Sequence, residues 1–314
     1  MSAFPMWASP ADGSALRVED DQLVSLATGE AYPLACPGVW DLVQADRSEE
    51  LATWASGYSK IRIAEGRGAV DRDHYRRLPV VDSAHPFADH WKVRELSFER
   101  VVGLLDGPPL QIVDIGAGNG WAAARLADRG HHAVALDVVT DDVDGLGAVA
   151  RHRPNERLFA ARAEFDRLPL ATGSADVVLA IASLHYAPDQ AAAVAEAARV
   201  LRPGGTLLIV DSPFHRHRPS GFRMVAEQEQ RLARLGTEVP ATPGRGFVWR
   251  SSPQREWNDL GFSWRVQRSS PTARAMVARL AAHVRVRREA AALLTVIGTR
   301  NDTRAPSAPK AQMS

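Results

Sequence analysis

Between residues 108 and 300 the chain alternates short apolar runs with longer stretches of helical periodicity. The runs fall at 110–115, 133–137, 157–161, 176–182 and 206–211, and near-continuous apolar character of that kind predicts parallel strands buried on both faces. Val194, Ala197, Ala198 and Leu201 mark one buried helical face before the fifth run, and two further strands are predicted at 262–267 and 292–299. An α/β sheet with helices on both sides follows. Residues 47–107 have a helical pattern that includes Phe98, Val101, Val102 and Leu105 at i, i+3, i+4 and i+7, with breaks at Gly66, Gly68 and Pro79. Residues 1–46 have the short strands and turns of a small β-rich segment. Residues 301–314, rich in Ala, Pro and Ser, are expected to be disordered.

Composition narrows this picture only a little. With 314 residues, 45% hydrophobic and 24% charged, the chain can hold one α/β domain and an appendage. Cys36 is the single cysteine, so no internal disulfide is available and a cytoplasmic location is the default expectation. No apolar run suits a membrane span or a signal peptide. A formal net charge of +1 gives no global attraction to nucleic acid. Nearly all the basic charge is arginine, the lysines being Lys60, Lys92 and Lys310, which coding bias explains.

The first apolar run ends in a segment with chemical content. Asp114 is followed by Gly116, Ala117, Gly118, Asn119 and Gly120, giving G-x-G-x-G. A dinucleotide fingerprint would place its third glycine where Trp121 stands. Glycines at these positions let backbone lie against a ligand. A carboxylate at the strand end suits a ligand bearing an ammonium group.

Asp114 to Gly120 resembles motif I of the class I S-adenosylmethionine (SAM)-dependent methyltransferases, and further segments resemble that family in order. Asp137 ends the second apolar run; Glu164 and Phe165 precede Leu168 and Pro169, as in the ubiquinone/menaquinone methyltransferase-like group; Asp176 to Tyr186 is similar to the fourth strand and its turn; and Leu201 to Gly205 is similar to the turn into strand five. The resemblance implies a Rossmann-like, seven-stranded sheet whose last two strands pair antiparallel around an insertion at Ala273–Arg288. It implies SAM as cofactor and S-adenosylhomocysteine (SAH) as product. Asp137 would hold the ribose hydroxyls, Glu164 and Phe165 the adenine, and Ile181 and Ala182 would complete the cofactor site.

The N-terminal segment resembles the zinc ribbon of the Trm112-type fold, but Ser9, Asp12, Ser25 and Thr28 stand where its thiolates would be. Hydroxyls are poor zinc ligands, so no metal is expected, and Leu16, Val18, Leu23, Tyr32, Leu34 and Trp40 are expected to hold the segment by packing. The helical segment 47–107 concentrates Tyr58, Tyr75, Trp91 and Arg94 and is expected to fold over the cofactor as a lid lining a substrate pocket; the alternative is that its aromatics are core and its arginines solvated.

Candidate chemistry beyond cofactor binding is sparser. His185 follows strand four and could act as general base, or pack under the cofactor; Tyr186 could orient a substrate ring; Asp211, ending strand five, could be a base or cap the next helix. Asp141, Asp142 and Asp144 have the pattern of turn residues, and no Cys or His spacing suggests a metal site. The expected function is methyl transfer to O, N or C of a small, partly apolar metabolite. An rRNA or tRNA base methyltransferase is the alternative, since a zinc ribbon joined to this domain resembles an rRNA guanine methyltransferase architecture; the run Arg274, Arg279, Arg285, Arg287 and Arg288 is the one local feature in its favour, and a SAM-fold protein that binds without transfer is the third reading. Oligomeric state and acceptor identity are not encoded in any of these features.

Overall fold

The computed structural model describes residues 4–67, 71–234, 244–268 and 288–302. The chain opens with β1 (Leu16–Glu19), β2 (Gln22–Ser25), β3 (Ala31–Cys36) and β4 (Val39–Asp41), continues through α1 (Ala45–Ala64), α2 (Arg72–Arg77) and α3 (Ala88–Leu104), and then enters the α/β part. There β5 (Gln111–Ile115), α4 (Trp121–Ala127), β6 (His132–Asp137), β7 (Leu158–Arg162), β8 (Ala175–Ile181), α5 (Gln190–Val200) and β9 (Leu201–His215) follow one another. The described remainder is α6 (Arg218–Ala233), β10 (Val248–Trp249), β11 (Phe262–Arg268) and β12 (Ala292–Arg300).

Strands β7, β6, β5, β8 and β9 are parallel neighbours, and β12 and β11 extend the sheet antiparallel, giving the order β7-β6-β5-β8-β9-β12-β11. The expected strand count of seven is corrected, because the sheet has 12 strands. The N-terminal segment does not stand apart: β4 pairs parallel with β7, Val39 opposite Ala160 and Asp41 opposite Arg162. The β1–β2–β3 meander continues from it. An edge strand exposes unpaired N–H and C=O groups, and β4 covers that edge of β7. Arg162 fastens the junction, donating to Asp41 Oδ2 at 3.1 Å and to Ser48 Oγ at 3.1 Å.

Successive residues along the parallel strands face opposite sides. Val113, Val134, Val178 and Ile209 belong to one buried cluster, and Ile112, Ala133, Val177 and Leu208 to the other. Leu23 and Tyr32 join the first cluster, with Leu16 and Trp40 packed against it, so the ribbon shares the main core. Val18, expected to pack, is 57% exposed instead.

The segments resembling metal knuckles form two matched turns. Gly13 N–H donates to Ser9 O at 2.8 Å, and Gly29 N–H to Ser25 O at 3.0 Å, both glycines having φ near +75°. The side chains at thiolate positions close these turns: Ser9 Oγ bonds Tyr32 Oη at 3.0 Å, Ser25 Oγ bonds Ser14 Oγ at 2.8 Å, and Asp12 accepts the Ser14 N–H. The insertion Ala273–Arg288 lies outside the described residues but for Arg288, as do Gly68 and most of the tail. No described helix is long and apolar enough to cross a membrane.

Candidate active site

The carboxyl ends of β5, β6, β7 and β8 meet α1 and α3 around a cavity of about 540 Å³. The glycine loop forms its floor. Gly116 and Ala117 N–H groups both donate to Leu136 O, at 2.8 and 3.0 Å, and Gly118 N–H donates to Asp137 Oδ2 at 2.8 Å. Gly116, Gly118 and Gly120 all have positive φ. A Cβ on Gly116 would meet Ser183 Cβ at 2.4 Å and the Phe165 ring at 2.9 Å, so only glycine fits there. His152 Nε2 meets Asn119 O at 2.9 Å from beneath, and Ser183 Oγ donates to Ile115 O at 2.6 Å.

Asp137 also accepts the Val139 N–H at 2.9 Å, yet burial pushes its carboxyl up to about 6. Each carboxylate oxygen holds two lone pairs, so acceptor capacity remains beyond these bonds. Glu164 is paired with Arg47 of α1 at 3.1 Å, and burial raises its pKa. Phe165, Ile181 and Ala182 line the same space, with Ala182 held at φ +51°.

Asp114, expected at the cofactor, is buried near the end of β5. Its side chain lies on the α4 side of the sheet and is buried outside the cavity lining; burial first, then Asp137, pushes it up to about 8, while the Ala123 backbone amide opposes the rise. Gly120 likewise serves the loop rather than the cavity wall, a Cβ there meeting Val149 at 2.7 Å.

Helix α1 supplies the opposite wall. Arg47, Leu51, Trp54, Tyr58 and Arg62 recur at three- and four-residue spacing and face the cavity. Trp54 and Tyr58 stack at 5.1 Å, and Tyr58 meets Tyr186 edge-on at 5.8 Å. Arg62 lies over Tyr58 and pairs with Asp144, which ties α1 to the loop after β6. Asp141 accepts the Val143 and Asp144 N–H groups, as a turn residue does. Trp91 and Arg94 of α3 join the wall, with the Arg94 guanidinium 4.8 Å from the Trp91 ring centre. Tyr75, expected beside them, is fully buried in the second core and bonded to Val143 O, away from the cavity.

The expected proton acceptors lie behind the wall rather than on it. His185 is held by Ser212 Oγ at 3.4 Å from Nδ1, and burial, with Arg94 nearby, pushes its pKa down to about 3. Asp211 sits inside β9 with φ +57° and caps no helix, because the strand runs on to His215. Ser97 donates to its Oδ1 at 2.7 Å, its Oδ2 is buried with no hydrogen-bond partner, and burial pushes it up to about 6. Among the described residues no group of three or more His, Cys, Asp or Glu could hold a metal ion. The arginine run expected to favour RNA lies outside the described residues except for Arg288, which pairs with Glu227 at 2.8 Å.

Residues 113–209 match a family model described as a methyltransferase domain. That segment resembles a methyltransferase domain. The chain is 38% identical over 112 residues to an uncharacterized methyltransferase of Mycobacterium bovis, covering 36% of this chain and 44% of that protein. The domain is also similar to the 27-O-demethylrifamycin SV methyltransferase of Amycolatopsis mediterranei, 36% identical over 36% of this chain and 43% of the relative. With the malonyl-[acyl-carrier protein] O-methyltransferase of Geobacter sulfurreducens it shares 35% identity over 46% of this chain and 50% of the relative. The chain thus spans half or less of the length of these relatives. In fold it is similar to a geranyl diphosphate methyltransferase solved in complex with GPP and sinefungin, with a TM-score of 0.52 at 14% identity over 82% of this chain and 100% of that one. The YcgJ protein of Bacillus subtilis gives 0.50 at 15% identity, over 67% and 100%. These likenesses show a Rossmann-like α/β fold.

Proposed function

We propose that this chain transfers the methyl group of SAM to O, N or C of a small, partly apolar molecule. One observation carries the reading: the glycine loop, pinned to Asp137 through Gly118, and the aromatic wall of α1 enclose a single cavity of about 540 Å³. That space is of the size that holds small ligands. The residues present fit the cofactor. Asp137 would take the ribose hydroxyls, Glu164 the adenine amino group with its oxygen not facing Arg47, and Phe165 and Ile181 the adenine faces. SAM, when bound, supplies a methyl group on a sulfonium, which a nucleophile displaces in line. The relatives named for rifamycin and malonyl-carrier-protein methylation, and the fold neighbour solved with sinefungin, support the reading.

The chain's own contribution is mainly orientation, since holding the reactants in contact supplies much of such a rate. Trp54, Tyr58 and Tyr186 offer flat apolar surface for an acceptor, and α1 and α3 exclude water as roof or lid. Neither His185 nor Asp211 lines the cavity, and an imidazole at about 3 is in addition a weak base. We assign His185 a packing role beneath Tyr186, whose ring centre is 4.2 Å away.

Calorimetry with SAM, followed by mass spectrometry of small-molecule pools for the gain of one methyl group, tests the proposal, with bulk RNA run in parallel. Methyl gain in a small molecule is expected; methyl gain in RNA alone would overturn the acceptor class, and no SAM binding would overturn the activity.

A further inference from the structure

Among the described residues, the cations lining the cavity are paired with one exception. Arg47 is paired with Glu164, and Arg62 with Asp144. Arg94, half-buried on the same cavity, makes no hydrogen bond or ion pair with any described residue; its close partner is the face of Trp91. Its surroundings do not supply the missing charge. Arg62 and Arg67 stand near enough to oppose its protonated form, and the two carboxylates that favour it are engaged elsewhere, Asp144 with Arg62 and Asp211 with Ser97. A guanidinium removed from water and flanked by other cations is stabilised by a ligand anion that can take two parallel N–H donors.

Resting on the reading of the site given above, we propose that Arg94 anchors a carboxylate on the methyl acceptor, so that the acceptor is a small carboxylic acid with an aromatic or apolar body. The body fits the other surfaces of the cavity: Trp54 and Tyr58 present stacked faces and Tyr186 an edge. One unpaired guanidinium matches one negative charge. A phosphate or diphosphate would meet a lining that otherwise carries Glu50, Asp137, Asp144, Glu164 and Asp166 against Arg47, Arg62 and Arg94, an acidic excess that disfavours multiple charges.

Arg94 stands between the two halves of the cavity: its charged neighbours include Asp211 within β9 and Asp144 after β6, and it is felt by His185 after β8. Trp91, on which Arg94 rests, is fixed in turn against Trp121 at 5.8 Å. The guanidinium is therefore held in position before any ligand arrives.

The test is calorimetry on the full chain saturated with SAH, titrated with benzoate and indole-3-acetate and with their neutral amides, for the wild type, Arg94→Gln and Arg94→Lys. The acids are expected to bind at least tenfold tighter than their amides. Arg94→Gln should abolish that preference, and Arg94→Lys should keep part of it, while SAH affinity changes less than about threefold. Equal binding of acids and amides, or no binding of either acid, overturns the proposal and leaves the cofactor reading intact. A tenfold loss of SAH affinity in Arg94→Gln, with 5′-methylthioadenosine unaffected, overturns it by assigning Arg94 to the cofactor's own carboxylate. Failure of SAH to bind the wild type refutes the underlying reading instead. Thermal unfolding of each variant at the wild-type temperature confirms that a lost preference is not a lost fold.

Discussion

Ser97 of α3 donates to Asp211 of β9 at 2.7 Å, and this bond, with the more distant charges of Arg94 and Arg100, only partly offsets the burial of a carboxylate whose other oxygen has no hydrogen-bond partner. The folded pKa is raised from 3.8 to about 6. Between about pH 4 and 6 the folded protein therefore holds a proton that the unfolded chain has released. The stability this group contributes is complete below about pH 4, falls as pH rises to about 6, and is flat above. A shift of that size corresponds to roughly 2–3 kcal/mol. Asn keeps an oxygen for Ser97 and tolerates positive φ, so Asp211→Asn should stabilise the protein by roughly 1–3 kcal/mol at pH 7.5. The gain should disappear near pH 4, and turnover should change little, since Asp211 stands outside the cavity lining. Denaturant unfolding at the two pH values checks the first effect and initial rates the second.

His185 carries the opposite shift. Its folded pKa is pushed down to about 3, so it resists protonation, and the stability it contributes is present above its unfolded pKa and is lost as pH falls towards 3. An imidazole NMR titration should show His185 neutral throughout pH 5–8. A midpoint near 6.5 would reinstate it as a base.

Gly116 and Gly173 have the same φ of +66° but different surroundings: a Cβ on Gly116 would meet Ser183 Cβ at 2.4 Å, whereas nothing lies within 4 Å at Gly173. Gly173→Ala should cost about 1 kcal/mol from backbone strain alone. Gly116→Ala should cost roughly 2–4 kcal/mol and abolish SAM binding. Similar losses in the two variants would show that the loop is looser than its contacts indicate.

The ribbon joins the sheet through Arg162 and Asp41, a buried cation and a partly exposed carboxylate. Removing one partner strands the other. Asp41→Ala should destabilise by roughly 2–4 kcal/mol, and Arg162→Met by less, because it removes the charge that would be stranded. Because α1 leaves directly from this junction, Asp41→Ala should also weaken SAM binding through Arg47 and Glu164. Urea melts and calorimetry of both variants measure the two effects.

Much of this architecture is legible in the chain. The parallel strands are fully buried and read as apolar runs, and the glycine loop advertises itself by spacing. The junction of ribbon and sheet is not legible, because β4 is three residues long and carries no period. Strand β9 outruns its expected end at residue 211 because Pro213 reads as a breaker, yet it pairs with Leu293 beside a bulge. The cavity face of α1 escapes periodicity for another reason: Ile61 is its only fully buried described residue, and the stripe facing the cavity mixes Arg with Trp and Tyr. Tyr58 and Tyr75 look alike in sequence. What separates them is that α2 sends Tyr75 inward to Val143 while α1 opens Tyr58 onto the cavity.

The central claim is that the loop at Gly116–Gly120 and the carboxylate of Asp137 hold SAM. Calorimetry of SAM on the wild type and on Asp137→Ala tests it most directly. The account predicts that SAM binds the wild type, more tightly than NAD does, and that the variant loses about 1–3 kcal/mol of binding, because both the ribose contacts and the Gly118 anchor are removed. Unchanged SAM affinity in Asp137→Ala, or tighter binding of NAD than of SAM, would contradict it.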